Sequence, residues 1–407
     1  MLGMAADERE RDERAQPGQV LPLPPAPDAI ELRHLRAFVA VAEELNFGRA
    51  ATRLFLSQPA LSRQIRALER LVGSDLLRRS THRVELTLAG DALLDRARRL
   101  LTDLDDAIRS TRSVGGELAD RVARAWRPVH DLTNAGAEIH EVRAAMEEFH
   151  ADLAPPEGTI VRPVNAGGVP ALAVSDAVGR PLTVLHLHGG AYVGGSAFGF
   201  RPLAGALAVA TGVGVLVPEY RLAPEHPFPA AVEDAVLAYR WLLDTGVPPE
   251  RITVSGDSAG GGLALSLLMT LREQHVPLPA QALLFCPWVD LSCELQPAGE
   301  PQPFLDPLQQ RMFAAAYLGD HDPGDPRVSP LTADLSGLPP ILVQTATGDP
   351  LTGDARRLVE RAGAFGVDAR LEVYPAATHV FQYFWSFLPE AADALDHAGA
   401  FISRVSH

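Results

Sequence analysis

Three short stretches of this 407-residue chain carry groups suited to acyl transfer. In Gly256-Asp257-Ser258-Ala259-Gly260 a serine lies between the strand pattern Arg251–Val254 and the helical run Gly261–Thr270. A G-x-S-x-G in that setting is a nucleophile elbow. Its glycines permit the tight strand-to-helix turn, and the Ser Oγ is left exposed at the helix N-terminus. In His188-Gly189-Gly190-Ala191-Tyr192 two glycines follow the strand pattern Leu182–Leu187. Successive glycines can turn backbone N–H groups toward one point, where a carbonyl oxygen gaining negative charge needs donors. With the N–H of Ala259, those of Gly189 and Gly190 would give three such donors. Asp349 follows the strand pattern Ile341–Gln344, and His379 lies beyond Arg370–Val373. His379 would take the Ser258 proton and return it to the leaving group. Asp349 would hold the imidazole tautomer and stabilise the imidazolium.

Other residues compete for these roles. His188 opens the glycine loop at a strand end, so bracing that loop is expected of it rather than proton transfer. Asp354, five residues beyond Asp349, is the alternative acid. Asp257 and Asp290 are expected to support the elbow and the loop at Trp288.

The elements that must position these groups follow from the pattern. From residue 181 onward, short apolar strands alternate with helical stretches: Leu182–Leu187, Val213–Val217, Ile252–Val254, Ala282–Phe285, Ile341–Gln344 and Arg370–Val373. That alternation predicts a mostly parallel sheet covered by helices. The chain order Ser258, Asp349, His379 is the one expected of an α/β-hydrolase.

On these residues, 117–407 resemble the hormone-sensitive-lipase-like family of bacterial carboxylesterases. Tyr220-Arg221-Leu222-Ala223-Pro224-Glu225-His226-Pro227-Phe228-Pro229-Ala230-Ala231, Pro287-Trp288-Val289-Asp290-Leu291 and Ser329-Pro330-Leu331 extend the match. The resemblance implies a cap of N-terminal helices over the acyl pocket, here about 117–153. It implies short to medium acyl esters or lactones as substrates, and neither metal nor cofactor. Ala191 stands where a third glycine is common, and Pro350-Leu351-Thr352-Gly353 is a looser acid loop than usual.

The N-terminal part reads differently. Leu32, Leu35, Phe38, Val39, Val41 and Ala42 form the apolar face of a first helix, and Arg49–Leu54 a short second one. In Ser57-Gln58-Pro59-Ala60-Leu61-Ser62-Arg63-Gln64-Ile65-Arg66-Ala67-Leu68-Glu69, Ser57 is an N-cap and Pro59 fits the first turn. Ala60, Ile65 and Leu68 face a core. Gln58, Ser62, Arg63 and Arg66 face outward, as a helix in a major groove requires. A wing follows over 76–90. Residues 91–113 repeat apolar positions at spacings of three and four, a helix of about 34 Å that Gly115 and Gly116 are expected to end.

Residues 31–113 resemble the winged helix-turn-helix and linker helix of LysR-type transcriptional regulators. The match rests on Phe38, Ala50-Ala51, Ser57 to Ser62, Ile65, Leu68-Glu69 and Leu86-Thr87 with Ala89-Gly90. Leu77 stands where that family usually has Phe. The resemblance implies double-stranded DNA as a partner of residues 31–90 and an antiparallel homodimer through the 91–113 helix. By position, Ser57, Gln58 and Arg63 fall near base edges, and Arg53, Arg66 and Arg83 near phosphates.

Composition agrees with a two-part chain. Residues 31–113 hold 15 Arg against 11 acidic residues, a local +4 in a chain of net charge −15. A basic segment in an acidic protein fits a nucleic-acid surface. All 36 basic residues are Arg, which reads as codon bias. Cys286 and Cys293 make neither a disulfide framework nor a zinc pattern, so a reducing, cytoplasmic location is expected. No signal peptide is visible in the charged N-terminus. The longest apolar run, 202–218, is broken by Gly205, Thr211, Gly212 and Gly214, so no membrane span is expected.

The expected organisation is a charged, Pro-rich leader over 1–30, an all-α winged helix-turn-helix over 31–90, and a linker helix over 91–116. The α/β-hydrolase domain, a mostly parallel sheet with a helical cap, occupies 117–407. The leading functional reading is a serine carboxylester hydrolase fused to a DNA-binding regulator module. The alternative is a LysR-like regulator whose hydrolase-like domain senses an ester or lactone, and a third reading makes the DNA-binding segment vestigial.

Overall fold

The computed structural model describes residues 30–79, 84–293 and 307–406, with the backbone alone over 102–115. The leader through residue 29 and Arg83 lie outside the described residues. The chain forms two compact units, Met1–Val114 and Gly115–His407.

The first unit packs α1 (Leu32–Glu44), α2 (Phe47–Arg53) and α3 (Gln58–Val72) around Phe38, Val41, Leu61, Ile65 and Leu68. Polar side chains cap the second and third of these helices. The Asn46 side chain accepts the Arg49 N–H, and Ser57 Oγ accepts that of Ala60. These caps satisfy donors that a helix start leaves without intrahelical partners. The wing pairs β1 (Leu77–Arg79) antiparallel with β2 (Val84–Leu86). The Glu69 carboxylate accepts the N–H groups of Leu76 and Leu77, which ties the wing to α3.

The next helix, α4, runs from Leu88 to Asn134 without a break. The expected stop at Gly115 and Gly116 is therefore corrected. A glycine inside a helix costs about 1 kcal/mol relative to alanine, which weakens a helix without ending it. The end comes at Gly136, whose φ of 68° is left-handed. There the N–H groups of Ala135, Gly136 and Ala137 bond back to Asp131, Thr133 and Leu132. So the first cap element is the last part of α4, and the second is α5 (Ile139–Ala151).

The second unit is an eight-stranded sheet in the order β10-β9-β8-β7-β5-β6-β4-β3. Its strands are β3 (Ile160–Ala166), β4 (Val169–Ser175), β5 (Leu182–Leu187), β6 (Gly214–Pro218), β7 (Thr253–Asp257), β8 (Gln281–Phe285), β9 (Ile341–Ala346) and β10 (Ala369–Tyr374). Strands β5 to β10 pair in parallel, and β3 and β4 add an antiparallel edge. The strand pattern from residue 181 onward does not include that hairpin, although its two-residue Gly167-Gly168 turn is a strong hairpin signal. One face is covered by α7 (Ala230–Asp244), α8 (Ala259–Glu273) and α10 (Thr352–Ala364), which bury Leu263, Leu267 and Leu358, and Phe313 of α9 (Pro307–Leu318) joins the same core. The other is covered by α6 (Arg201–Thr211) and α11 (Pro389–Ser406), with Leu207, Leu395 and Ile402. In such a sheet functional groups gather at the carboxyl ends of the strands. The loops after β5, β7, β9 and β10 carry His188, Ser258, Asp349 and His379.

Candidate functional site

Ser258 sits between the last residue of β7 and the first of α8, at φ 50° and ψ −120°. A non-glycine residue at positive φ is strained, and surrounding packing must hold it. Two glycines make that packing possible. A Cβ on Gly260 would lie 2.0 Å from the Leu187 carbonyl oxygen, and one on Gly256 would lie 2.2 Å from that of Gly260. The strand and helix thus approach more closely than any side chain would allow.

Ser258 Oγ lies 2.8 Å from His379 Nε2, and His379 Nδ1 lies 2.9 Å from Asp349 Oδ2. All three residues are at most 5% exposed. The Leu351 N–H donates to the other Asp349 oxygen at 2.7 Å and so orients the carboxylate. Asp354 is elsewhere: it accepts from Arg357 at 2.7 Å. Burial pushes the Asp354 carboxyl up to about 6, with Arg357 opposing the rise.

That raised pKa gives a stability prediction. A carboxyl raised in the folded state ionises less readily there than in the unfolded chain. Its contribution is full below about pH 4 and is lost as pH rises through about 6. Asp354→Asn is expected to gain about 2–3 kcal/mol on wild type between pH 4 and pH 7, because a pKa difference of one between folded and unfolded chain corresponds to about 1.4 kcal/mol. Urea unfolding of both proteins across that range checks it, and a constant difference refutes it.

The glycine loop departs from expectation at one donor. The Gly189 N–H donates to Asp257 Oδ1 at 3.0 Å. It is committed to the protein, so its expected place in the oxyanion hole is corrected. Gly190 and Ala191, not Gly189, line the cavity at Ser258. Gly190 has φ 115° and Ala191 φ 53°, so the loop turns through the left-handed region at the two residues that border the cavity. Ala259 opens α8, where the first N–H groups of a helix have no intrahelical acceptor.

His188 takes the bracing position. Its Nδ1 donates to the Gly189 carbonyl at 2.8 Å, its ring stacks on Tyr220 at 4.1 Å, and Tyr220 Oη donates to the His188 carbonyl. Burial pushes its pKa down to about 4, so it is neutral near pH 7. Asp257 also accepts from Tyr383 Oη at 2.6 Å, and His186 Nε2 lies 3.2 Å away. His186 Nδ1 in turn lies 3.1 Å from Ser255 Oγ. This second Ser-His-Asp chain is 0% exposed throughout, and no substrate carbon can reach Ser255. It supports the glycine loop from below. Cys286 stands beside the acid: its Sγ, an Asp349 oxygen and a His379 nitrogen lie within 4.8 Å of one another. Burial pushes the Cys286 thiol well up, so it is a neutral neighbour. Both cysteines are free.

The cavity over Ser258 has a volume of about 60 Å³ and is walled by Trp126 and Val129 of α4, Phe149 of α5 and Phe313 of α9. Gln309 of α9 donates to Asn134 at the end of α4. Arg143 of α5 pairs with Glu225 at 2.6 Å and donates to the carbonyls of Val193 and Ala223. These bonds fasten the cap to α9, to Val193 just beyond the glycine loop, and to Ala223 and Glu225.

A family profile for the alpha/beta hydrolase fold matches residues 184–383. An acetyl-hydrolase from Streptomyces hygroscopicus is 43% identical over 265 residues, 64% of this chain and 87% of that protein. An esterase from Acinetobacter venetianus is 36% identical over 249 residues, 60% of this chain and 82% of that protein. The crystal structure of an esterase from the bacterial hormone-sensitive lipase family superposes with a TM-score of 0.65 at 39% identity, covering 70% of this chain and 97% of that one. The chain belongs to the hormone-sensitive-lipase family of α/β-hydrolases. It is a carboxylesterase-type serine hydrolase. A second profile, for the lysR family of bacterial regulatory helix-turn-helix proteins, matches residues 32–91. The hydrolase is therefore fused to a LysR-type module.

On that module Gln58, Arg63 and Arg66 are exposed on α3. Arg66 donates to Ser62 Oγ one turn away at 3.2 Å. Two expected contacts have other partners. Ser57 Oγ accepts the Ala60 N–H as the helix cap. Arg53 pairs with Glu43 at 2.8 Å and Glu44 at 3.6 Å, which braces α2 on α1 and offsets its charge. Spacing along α2 could not reveal this, because the acids lie on the preceding helix. Among the described residues, no helix of the fused hydrolase is long and apolar enough to cross a membrane.

Proposed function

We propose that this chain hydrolyses short acyl esters or lactones through an acyl-enzyme on Ser258, and that its N-terminal module binds double-stranded DNA as a homodimer. The hydrogen-bonded chain from Ser258 through His379 to Asp349, opening on a small apolar cavity, carries the first half. Ser258 Oγ attacks the ester carbonyl carbon while its proton passes to His379 Nε2. The carbonyl oxygen takes up negative charge beside the N–H groups of Gly190, Ala191 and Ala259. The C–O bond breaks, and the alcohol leaves with the proton from His379. Water then loses a proton to His379 and attacks the acyl carbon, the bond from that carbon to Ser258 Oγ breaks, and His379 returns the proton to Oγ as the acid leaves. Asp349 balances the imidazolium charge in both halves. No step calls on a metal or cofactor.

The curated relative named acetyl-hydrolase supports a short acyl group. Hydrolysis of p-nitrophenyl esters of increasing chain length tests the reading. Turnover confined to short chains supports it, and no turnover by folded protein counts against it.

One observation favours keeping the regulatory reading beside the enzymatic one. The helix whose last turns wall the cavity begins at Leu88, within the LysR-type module. A cytoplasmic location and dimerisation through residues 91–113 belong to this proposal, and sedimentation of the purified protein tests the latter. For DNA, the full chain is expected to bind a labelled duplex at low salt with a steep salt dependence. Arg63→Ala with Arg66→Ala is expected to weaken binding about tenfold to a hundredfold and to lower the log–log salt slope by about 1 to 2. Fluorescence anisotropy across a salt series measures both. No binding at low salt would leave the vestigial reading.

A further inference from the structure

The catalytic cavity has a neighbour. A second cavity of about 360 Å³ lies against Leu118, Val122 and Ala123 of α4, Ala376 and Ala377 of the loop that leads to His379, and Leu388. Among the described residues, His130 is the one that lines both this cavity and the catalytic one. Its ring stacks on Trp126 at 6.4 Å with an interplanar angle of 18°, and Trp126 stacks on Phe149 at 4.3 Å. The imidazole is thus held in place by an aromatic stack that belongs to the catalytic cavity wall. Burial keeps its pKa below the ordinary imidazole value, so it presents an uncharged surface to an acyl chain.

Size decides what this arrangement does. A cavity of about 60 Å³ has room for only a small acyl group. That is a group of acetyl to butyryl size. The neighbouring cavity, about 360 Å³, is larger and mostly apolar, and His130 is the lining residue that the two share.

We propose that His130 sets the acyl-chain limit of this esterase, as a partition whose removal joins the catalytic cavity to the second apolar cavity and admits long acyl chains. The proposal rests on the esterase reading above and deepens it by naming the residue behind the short-chain preference. His130 acts on which substrates fit, not on proton transfer, so its effect belongs in the ratio of two substrates.

The test measures kcat/KM for p-nitrophenyl butyrate and p-nitrophenyl decanoate in the full chain. Wild type is expected to favour butyrate by at least about tenfold. In His130→Ala the decanoate-to-butyrate ratio is expected to rise about tenfold or more. Adding Ala123→Phe, which refills the second cavity, is expected to bring the ratio back down. Circular dichroism and the p-nitrophenol burst count folded sites in each protein. If His130→Ala does not fold, His130→Asn, also smaller than histidine, is read the same way. An unchanged ratio in a folded variant that still cleaves butyrate overturns the partition and leaves the esterase reading standing. A raised ratio that Ala123→Phe does not reverse also overturns it, because the added chain then lies elsewhere. Failure of wild type to cleave any ester overturns the esterase reading and the partition with it.

Discussion

Ser258→Ala is expected to lower kcat/KM for p-nitrophenyl butyrate by about 10⁵- to 10⁶-fold while the protein stays folded. The chemical loss is total for the covalent route, because Ser258 Oγ is the hydroxyl placed 2.8 Å from His379 Nε2 to exchange its proton. Residual catalysis would come from oxyanion donors acting on a water, which other serine hydrolases retain to some degree. The fold should be untouched for a local reason. What holds the elbow together is the backbone: the Ser258 N–H donates to Phe285 and its carbonyl accepts from Trp288, both at 2.9 Å. Alanine keeps both bonds and carries no more strain at this φ than serine does. The measurement is steady-state hydrolysis with thermal unfolding beside it. Activity within about a hundredfold of wild type in a clean preparation would remove Ser258 as the nucleophile.

Asp349→Asn is expected to cost about 10⁴-fold in kcat, and Asp354→Asn less than about threefold. The two sites separate two explanations of the same sequence neighbourhood. An amide at 349 offers His379 Nδ1 either an N–H or an uncharged oxygen, so it disturbs the tautomer and withdraws the charge that stabilises the imidazolium. Leu351 still bonds to the side-chain oxygen, so geometry survives while electrostatics does not. Asp354 touches Arg357 and not His379. Its amide variant should change stability with pH and leave turnover almost alone. Equal losses from both substitutions would mean that the carboxylate at His379 has been misassigned.

Much of the chemistry is legible in the sequence because it is local. Gly256 to Gly260 announces an elbow within five residues, since the glycines answer a steric demand made by the immediate turn. The cap at Ser57 and the apolar face of α3 are local in the same way, and the structure follows them. The helix does not stop at Gly115, because glycine weakens a helix everywhere but ends it only where the backbone turns left-handed, as it does at Gly136. The β3–β4 hairpin escapes a reading that looks for strands alternating with helices, although its Gly-Gly turn stands in plain view.

The sequence by itself marked Ser258 and His379 as the proposed nucleophile and base, their chain order with Asp349, and the presence of a LysR-type module, because each rests on residues within a few positions of one another or on a topology they imply. It left two carboxylates open as the acid, and among the oxyanion donors Gly189, Gly190 and Ala259 it included an N–H that has another partner. Tertiary structure decided both. Asp349 is chosen because the β9 and β10 loops bring it, and not Asp354, to His379 Nδ1. Gly189 is excluded because the β5–β7 pairing sets Leu187 opposite Gly256 and places the Asp257 carboxylate under the Gly189 N–H. A backbone N–H has one hydrogen to give, and the partner that claims this one comes from a strand 68 residues away.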